Sequence, residues 1–244
     1  MNPTPADVLR VTAHRPWELP SGPWIMTQGW YNLLFMHWPI PVNVLQTLIP
    51  RPLELDTCHG SAWLGITPFD LRIKPRGLPT ISHFPELNCR TYVTYGGKPG
   101  VFFFSLDAGN RLAVWGARAF YRLPYFYAQM ELQEKVGMVS YSSRRIHQSA
   151  SFKANYRPVG EVRLASPATL EYWLTERYCL YTYSHGALFR GEIHHVPWPL
   201  QHAASEIIEN TIAAVQGIPL PETAPLLHFA RQLEVLVWPL RRAN

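Results

Sequence analysis

The 244-residue chain has few cysteines, few lysines and no long apolar run, and each shortage narrows its class. Cys58, Cys89 and Cys179 are odd in number and far apart, which argues against a disulfide framework and a cysteine-bound zinc site. No segment approaches the roughly 18 consecutive apolar residues of a membrane span. Residues 1–10 also lack the apolar stretch of a secretory signal. We therefore expect a cytoplasmic protein with no membrane partner.

Positive charge is in excess but is not concentrated. The formal net charge is +5, and it comes mainly from arginine, with 18 Arg against 4 Lys. Because no basic helix stripe or RNA-binding aromatic motif accompanies this charge, we predict no nucleic-acid partner. The sequence also lacks a Gly-rich dinucleotide fingerprint and a P-loop, so it predicts no cofactor. An excess of arginine suits two-pronged hydrogen bonds to carboxylates.

Four residues raise the question of a metal site: His37, Glu192, His194 and His195. Adjacent histidines on a strand point to opposite faces, so His194 and His195 cannot readily ligate one ion. The sequence has neither an HExxH motif nor a spacing typical of two histidines and a carboxylate. We therefore predict no metal ligands.

The abundant residues indicate a β-rich fold. The chain is 47% hydrophobic and 13% aromatic, ample for a packed core, and its 23 prolines are too many for a helix bundle. Apolar runs and turn residues predict strands over 30–38, 61–69, 86–93, 101–106, 112–122, 129–148, 151–157, 178–183, 188–195 and 232–238. Helices are predicted over 42–49 with Asn43 as cap, over 166–176 from Ser166, and over 203–216 before Gly217.

Many short strands without strand–helix alternation favour one class of fold. We predict an α+β protein, mostly antiparallel β, with two or three short helices. The chain shows no repeat, charge block or composition break that would mark a boundary. We therefore expect a single domain over 1–244, in which 1–23 form an irregular arm.

The most informative segment is 86–93, in which polar and apolar residues alternate. As a strand, its period of two puts Glu86, Asn88, Arg90 and Tyr92 on one face. A solvated face would be ordinary surface, whereas an enclosed one needs partners or a ligand because unpaired buried charge is costly. Arg90 could then hold a carboxylate and Glu86 could act as acid or base. The alternative is an internal Glu86–Arg90 salt bridge without function.

Six blocks in a fixed order carry a family resemblance: LLFMHWPIPVNVLQTLIPRPLELDT, ELNCRTYV, GVFFFSLDA, RAFYRLPYFYAQM, LTERYCLY and HHVPWPL. Together they resemble the YqjF-like family, also called the DUF2071 family, over roughly residues 27–240. The resemblance implies the acetoacetate decarboxylase-like fold, a β-barrel-like α+β protein with a pocket inside the barrel. Relatives with this barrel oligomerise, so the resemblance is also compatible with a homo-oligomer.

The resemblance separates the fold from the decarboxylase chemistry. Acetoacetate decarboxylases carry two adjacent lysines after a Gly-x-Pro turn, one of which forms a Schiff base. The matching turn here is 122–126, where Tyr125 and Phe126 stand at the lysine positions. Schiff-base decarboxylation should therefore be absent, while Glu86 matches the decarboxylase active-site glutamate. Tyr125 could donate its hydroxyl to a ligand oxygen, or it could fill the volume that the lysine left.

These observations predict a pocket that binds a small anionic or carbonyl-bearing metabolite. Glu86 is the candidate catalytic residue, moving a proton in enolisation, dehydration or lyase chemistry. The candidate substrate-binding residues are Arg90, Asn88, Tyr125, Arg118 and Asp107. Arg118 and Asp107 would lie on either side of the same pocket. The alternative is that they form an ordinary surface ion pair or that Asp107 caps a turn. A non-catalytic binding or sensor protein that uses the same pocket is the alternative.

Overall fold

Most of the chain is β-strand in the computed structural model, which describes residues 3–243. The strands are β1 (Met26–Ile40), β2 (Glu54–Leu55), β3 (Ala62–Pro75), β4 (Ser82–Tyr95), β5 (Lys98–Ala108), β6 (Tyr125–Lys135), β7 (Met138–Arg145), β8 (Ser151–Arg163), β9 (Cys179–Ser184), β10 (Ala187–His194), β11 (Leu200–Asn210), β12 (Leu226–Val237) and β13 (Arg241–Arg242). The helices are α1 (Pro5–Arg10), α2 (Val42–Gln46), α3 (Arg111–Gly116) and α4 (Leu170–Thr175), with a π-helical turn at Ala117–Tyr121 and a 3₁₀ turn at Ala214–Gln216. The described residues thus contain four α-helices, more than the two or three predicted.

The strands form one mixed sheet in the order β13-β10-β9-β5-β6-β7-β8-β11-β12-β1-β3-β4-β2. Two further pairings, β4–β5 and β10–β12, join strands that stand apart in this order, so the sheet returns on itself. Strand β5 pairs in parallel with β6 and β9, while the neighbouring pairs β3–β4 and β4–β5 are antiparallel. The predicted α+β class is confirmed, and the sheet is mixed.

Strand β4 separates two apolar cores. Phe84 and Tyr92 belong to one buried cluster, whereas Leu87 and Cys89 belong to another. This follows from the alternation of side chains along a strand. The strands predicted over 30–38, 86–93, 101–106 and 151–157 are confirmed, each as part of a longer strand. The polar row of β4 therefore shares its face with a buried core and not with bulk solvent.

The predicted strand over 112–122 is wrong. Residues 111–121 are helical, first as α3 and then as the π-helical turn. The side-chain oxygen of Asn110 accepts hydrogen bonds from the backbone N–H groups of Leu112 and Ala113, and this caps the helix. Leu112 and Phe120, whose apolar character favoured a buried strand, are 80% and 70% exposed.

None of the helices within residues 3–243 has the length and apolar character needed to span a membrane.

The predicted helix over 203–216 is also wrong. Residues 200–210 form β11, which pairs antiparallel with β8, and a 3₁₀ turn follows only at 214–216. Burial along β11 alternates residue by residue, which is the period of a strand. The Ala- and Glu-rich composition favoured a helix locally, but the sheet contacts decide the outcome. Gly217 ends the turn with φ +74°, in the left-handed conformation that glycine tolerates.

The remaining differences concern how predicted elements are divided and where helices begin. The predicted strand over 129–148 is the hairpin β6–β7, which turns at Val136 and Gly137. Residues 1–23 were expected to be irregular, yet they contain α1, which Thr4 caps. Helix α2 begins after Pro41 and not at an Asn43 cap, and α4 begins after Thr169, which caps it in place of Ser166.

Candidate functional site

A cavity of about 490 Å³ lies on the even-numbered face of β4. Phe84, Glu86, Asn88 and Arg90 all line it, as alternation along the strand requires. The neighbouring strands hold β4 in register, with β3 on one side and β5 on the other. The rest of the wall is mostly apolar and includes Leu106. The strand face predicted from the sequence thus opens into an enclosed space.

Glu86 is buried in this cavity and is 3% exposed. Burial raises the pKa of its carboxyl to about 8, because the charged form loses its hydration. Hydrogen bonds from Tyr125 and Asn88 lower that pKa and offset only part of the effect, and nearby Asp107 raises it. The Tyr125 hydroxyl donates to Glu86 Oε2 at 2.8 Å. At neutral pH the carboxyl is therefore mainly protonated and can donate a proton.

Asn88 and Arg90 both have polar atoms without a partner. Asn88 Oδ1 and Arg90 Nε are buried, and neither makes a hydrogen bond within residues 3–243. The ion pairs of the described chain do not include Arg90, so the alternative of an internal Glu86–Arg90 salt bridge is not realised. Buried polar groups nearly always find partners. Both residues line the cavity, so their unsatisfied atoms lie at its wall rather than in the packed core.

The Arg90 side chain crosses β3 at a glycine. A Cβ atom added to Gly65 would lie 3.2 Å from the His37 ring, which is tight, and 3.4 Å from Arg90 Cγ, which is close to an ordinary contact. Beyond this point the guanidinium carbon lies 5.3 Å from the ring centroid of Phe35 and 5.9 Å from that of Tyr92. Aromatic faces can partly stabilise a cation, although less than a carboxylate does. The absence of a side chain at Gly65 thus leaves room for the Arg90 stem beside His37.

Arg177 is a second arginine at the cavity that sequence reasoning missed. Its Nη1 donates to Asp56 Oδ2 at 2.6 Å and its Nε to the carbonyl of Trp173 at 2.7 Å, while Nη2 is buried without a partner. It also lies over the ring of Tyr92, with 4.9 Å between the guanidinium carbon and the ring centroid. Residue 177 falls in the quoted block LTERYCLY, but no spacing in that block links it to β4.

Several other unpartnered polar atoms face the same cavity, and the sequence did not single them out. They are Thr67 Oγ1, Tyr121 Oη and Trp198 Nε1. Burial raises the pKa of Tyr121 to about 12, so its hydroxyl remains a donor at neutral pH. With Asn88, Arg90 and Arg177, six lining residues carry buried polar atoms that lack a partner within the described chain. This concentration is the strongest structural sign of a binding site.

Asp107 and Arg118 do not line the cavity. Asp107 Oδ1 accepts a hydrogen bond from Arg145 Nε at 2.7 Å, and both side chains are 1% exposed. Arg118 Nε donates to the backbone carbonyl of Tyr125 at 2.7 Å. Neither side chain therefore reaches the cavity, although Asp107 is close enough to raise the pKa of Glu86. One belongs to a buried ion pair, and the other holds the start of β6.

Histidines near the cavity are neutral. His195 lines it, and burial lowers the pKa of its ring to about 4. His37 hydrogen-bonds the Tyr92 hydroxyl at 2.7 Å, and burial lowers its pKa well below the usual value. Across residues 3–243, no three His, Cys, Asp or Glu side chains are grouped to hold a metal ion. Cys58, Cys89 and Cys179 are free.

Replacing Tyr125 with phenylalanine should raise the pKa of Glu86 above about 8, because the hydroxyl stabilises the ionised carboxylate. A hydrogen bond to a charged group contributes about 1.5–3 kcal/mol, so we expect an upward shift of roughly one to two pKa units. Difference infrared spectroscopy of the protonated carboxyl band against pH measures it. Tyr127→Phe, outside the cavity lining, is the matched control. An unchanged or lower midpoint in Tyr125→Phe would contradict the assignment.

The raised pKa of Glu86 should also make stability pH-dependent. The folded chain holds a proton on Glu86 up to about pH 8, whereas the ordinary value is 4.5. The contribution of Glu86 to the free energy of unfolding is therefore complete below pH 4.5. It falls by roughly 5 kcal/mol as the pH rises from 4.5 to 8, because the unfolded chain releases the proton first. Denaturant unfolding at a series of pH values should show that loss in the wild type but not in Glu86→Gln. Exposed Glu161→Gln should behave as the wild type; the same profile in Glu86→Gln would exclude Glu86 as its source.

Comparison with solved structures defines the class of fold. The enduracididine biosynthesis enzyme MppR, complexed with pyruvate, aligns with a TM-score of 0.63 at 9% identity, over 98% of this chain and 94% of its own. Acetoacetate decarboxylase from Legionella pneumophila aligns with a TM-score of 0.58 at 12% identity, over 96% of each chain. At these identities the likeness concerns the fold, which is acetoacetate decarboxylase-like.

Sequence comparison places the chain within a family. It belongs to the DUF2071 family of uncharacterized conserved proteins, whose model matches residues 27–234. Uncharacterized protein YqjF of Bacillus subtilis (strain 168) is 51% identical over 230 residues, or 92% of this chain and 95% of that protein. The family resemblance drawn from the six sequence blocks is confirmed.

Proposed function

We propose that the protein binds a small carbonyl-bearing carboxylate in the cavity and catalyses acid–base chemistry on it, with Glu86 as the proton donor and acceptor. The observation that carries the proposal is that six residues lining one cavity carry unpartnered polar atoms, and that the same cavity holds the buried carboxyl of Glu86, whose pKa is raised to about 8. The pairings β4–β5 and β10–β12 support the finer description of the sheet as a barrel around this cavity. Three free cysteines favour a reducing cytoplasm.

Charge favours an anionic ligand. Four lining residues decide the charge of the cavity near neutral pH, namely Glu86, Arg90, Arg177 and His195. Glu86 is mainly protonated, His195 is neutral, and Arg177 is paired with Asp56. Arg90 is left as an uncompensated buried positive charge, which a monoanion would balance. A carboxylate also matches the planar donor geometry of a guanidinium.

Glu86 suits a proton transfer at a carbon next to a carbonyl. In its ionised form it would take the proton from that carbon, and the electron pair of the broken C–H bond would move to the carbonyl oxygen. Tyr121 and Trp198 line the same cavity and carry unpartnered donors, which we assign to that oxygen. A pKa of about 8 leaves both forms of the carboxyl accessible near neutrality, as general acid–base catalysis requires. Returning the proton to the carbonyl oxygen completes an enolisation.

A Schiff-base route has no support at this site. The lysines Lys74, Lys98, Lys135 and Lys153 do not line the cavity, and Tyr125 stands where the resemblance places a lysine. The buried Tyr125 hydroxyl instead supports Glu86. We therefore propose lysine-free chemistry on the same fold. The pyruvate complex of MppR supports starting with 2-oxo acids.

The test is a thermal-shift screen of small 2-oxo, 2-hydroxy and unsaturated carboxylic acids against the wild type and Glu86→Gln. A ligand at about 100 times its Kd adds about 2.7 kcal/mol, or roughly 5–10 °C at this size. Methyl esters of the same acids are the uncharged controls and should give smaller shifts. If no acid stabilises the protein beyond its ester, the proposal fails.

Turnover separates catalysis from the alternative, a sensor that only binds. Acids that bind are incubated in D₂O, and deuterium incorporation next to the carbonyl is followed by NMR. An enzyme should exchange this position in the wild type, and Glu86→Gln should lose the exchange while retaining binding. Binding without exchange in the wild type would leave a sensor and overturn the catalytic part of the proposal.

A further inference from the structure

The cavity is larger and more apolar than a three-carbon acid requires. Its volume of about 490 Å³ falls within the roughly 300–1,000 Å³ of sites for drug-sized molecules. Much of its wall is aliphatic or aromatic, as at Leu33, Phe69, Phe103 and Leu106. A small acid bound at Arg90 would leave these surfaces uncovered. The size of the cavity thus indicates a ligand with a substantial apolar part.

The cation that lacks a carboxylate partner lies at one end of the cavity. On β4 the lining residues run from Ser82 through Phe84 and Glu86 to Arg90, a path of about 26 Å at roughly 3.3 Å per residue. The cation lies at one end, where Arg177 and Arg90 both face Tyr92. Apolar residues line the cavity along its length, and Phe103 of β5 pairs with Arg90 itself. A ligand whose carboxylate binds Arg90 therefore meets apolar wall from that point onward.

The opposite end is an apolar mouth, the rim formed by Ile81, Leu112 and Phe120. These three lining residues are 63%, 80% and 70% exposed, whereas Glu86 is 3% exposed. Exposed apolar side chains that continue a buried apolar wall extend the surface that a ligand can contact. The helical segment that was mistaken for a strand supplies two of the three. The rim therefore belongs to the binding surface.

We propose that the natural ligand is an amphipathic monocarboxylate, with its carboxylate at Arg90 and an apolar chain or ring that extends past Glu86 to the rim. This inference rests on the proposed function for the position of the anion, and it adds the substrate class. A buried head group at a fixed cation and an apolar tail along a continuous wall satisfy both parts of the lining. The ligand then covers the apolar surface that a short acid leaves open.

The test is a calorimetric series of straight-chain 2-oxo acids from three to ten carbons, namely pyruvate, 2-oxobutanoate, 2-oxohexanoate, 2-oxooctanoate and 2-oxodecanoate. Each buried methylene should lower Kd about fourfold until the chain reaches the rim. A Kd that is flat, or that rises with length, would overturn the inference. Weak but specific binding of pyruvate would then still support the proposed function. If no acid of any length binds, the proposed function itself fails.

Variants at the rim locate the tail without disturbing the fold. Leu112→Ser and Phe120→Ser change exposed side chains, so both proteins should fold normally. Each should weaken 2-oxodecanoate several-fold and leave pyruvate unchanged. Val162→Ser, 60% exposed and outside the cavity lining, is the matched control and should change neither Kd. Equal effects of Leu112→Ser or Phe120→Ser on short and long acids would contradict the proposed orientation.

A neutral probe checks the head group. 2-Decanone has the carbonyl and the eight-carbon chain of 2-oxodecanoate but a methyl group in place of the carboxylate, and it should bind at least tenfold more weakly than 2-oxodecanoate. Arg90→Met should remove this difference. If 2-decanone binds as tightly as the acid to the wild type, the cavity takes apolar molecules without an anionic anchor, and the inference is wrong.

Discussion

Arg90→Met should abolish carboxylate binding and at the same time stabilise the free protein. The wild-type guanidinium is buried, with no carboxylate partner in the described chain. Removing it leaves a ligand carboxylate without its cation, which costs about 2–5 kcal/mol of binding free energy. In the free protein the same change removes a desolvated charge. Replacing buried charges with apolar groups is often neutral or stabilises by about 1–4 kcal/mol.

The opposite signs make this prediction specific. Calorimetry with a 2-oxo acid measures the affinity, and denaturant unfolding without ligand measures the stability. Arg157→Met is the control, since Arg157 is exposed and lies outside the cavity, and it should leave affinity unchanged. A structural role for Arg90 predicts instead that Arg90→Met is strongly destabilised. That result would show that Arg90 stabilises the fold and is not a ligand-binding residue.

Arg145→Met should have the largest effect on stability. Arg145 and Asp107 form an ion pair at 2.7 Å in which both side chains are 1% exposed. Removing one member of such a pair leaves an uncompensated buried charge and costs about 3–5 kcal/mol. Burial already raises the pKa of Asp107, and Arg145 offsets part of that effect. The loss should therefore grow as the pH rises and the carboxyl must ionise.

A double-mutant cycle separates this pair from the binding site. Arg145→Met with Asp107→Leu removes both charges and should recover a large part of the lost free energy of unfolding. Where the variants remain folded, 2-oxo acid affinity should match the wild type, since neither residue lines the cavity. A selective loss of affinity in the folded double variant would return Asp107 to the list of substrate-binding residues.

The contrast between Arg90, which faces the cavity, and Arg145, which is paired with Asp107, also shows what could be predicted from the sequence. The polar face of β4 was visible because strand alternation is a local rule, and Glu86, Asn88 and Arg90 do line one cavity. Asp107 follows the apolar run 101–106 and was also predicted to face the pocket. Its side chain lies outside the cavity and pairs with Arg145 instead. Whether a charged residue meets a partner or a cavity depends on neighbouring strands, which local sequence does not reveal.

The residues missed at the site come from remote parts of the chain. Arg177 precedes β9, which reaches the site through its parallel pairing with β5, and Trp198 lies between β10 and β11. Such contacts depend on long-range pairing and leave no periodic signal. Tyr121 was missed for another reason, because its segment was taken for a strand. There, Asn110 forms a helix cap and the apolar residues serve the rim, so their hydrophobicity was a misleading guide to burial.

The alternation of β4 has a consequence for how this family can diversify. Positions 84, 86, 88 and 90 face the cavity, while Leu87 and Cys89 hold the second core. Substitutions at Glu86, Asn88 and Arg90 can therefore alter what is bound or transformed, whereas Phe84 also belongs to the first core. The odd positions should tolerate few changes, because they fill a dense interior. An insertion of a single residue would exchange the two sets and lose both. A scaffold divided in this way can acquire new chemistry one side chain at a time while its architecture stays constant.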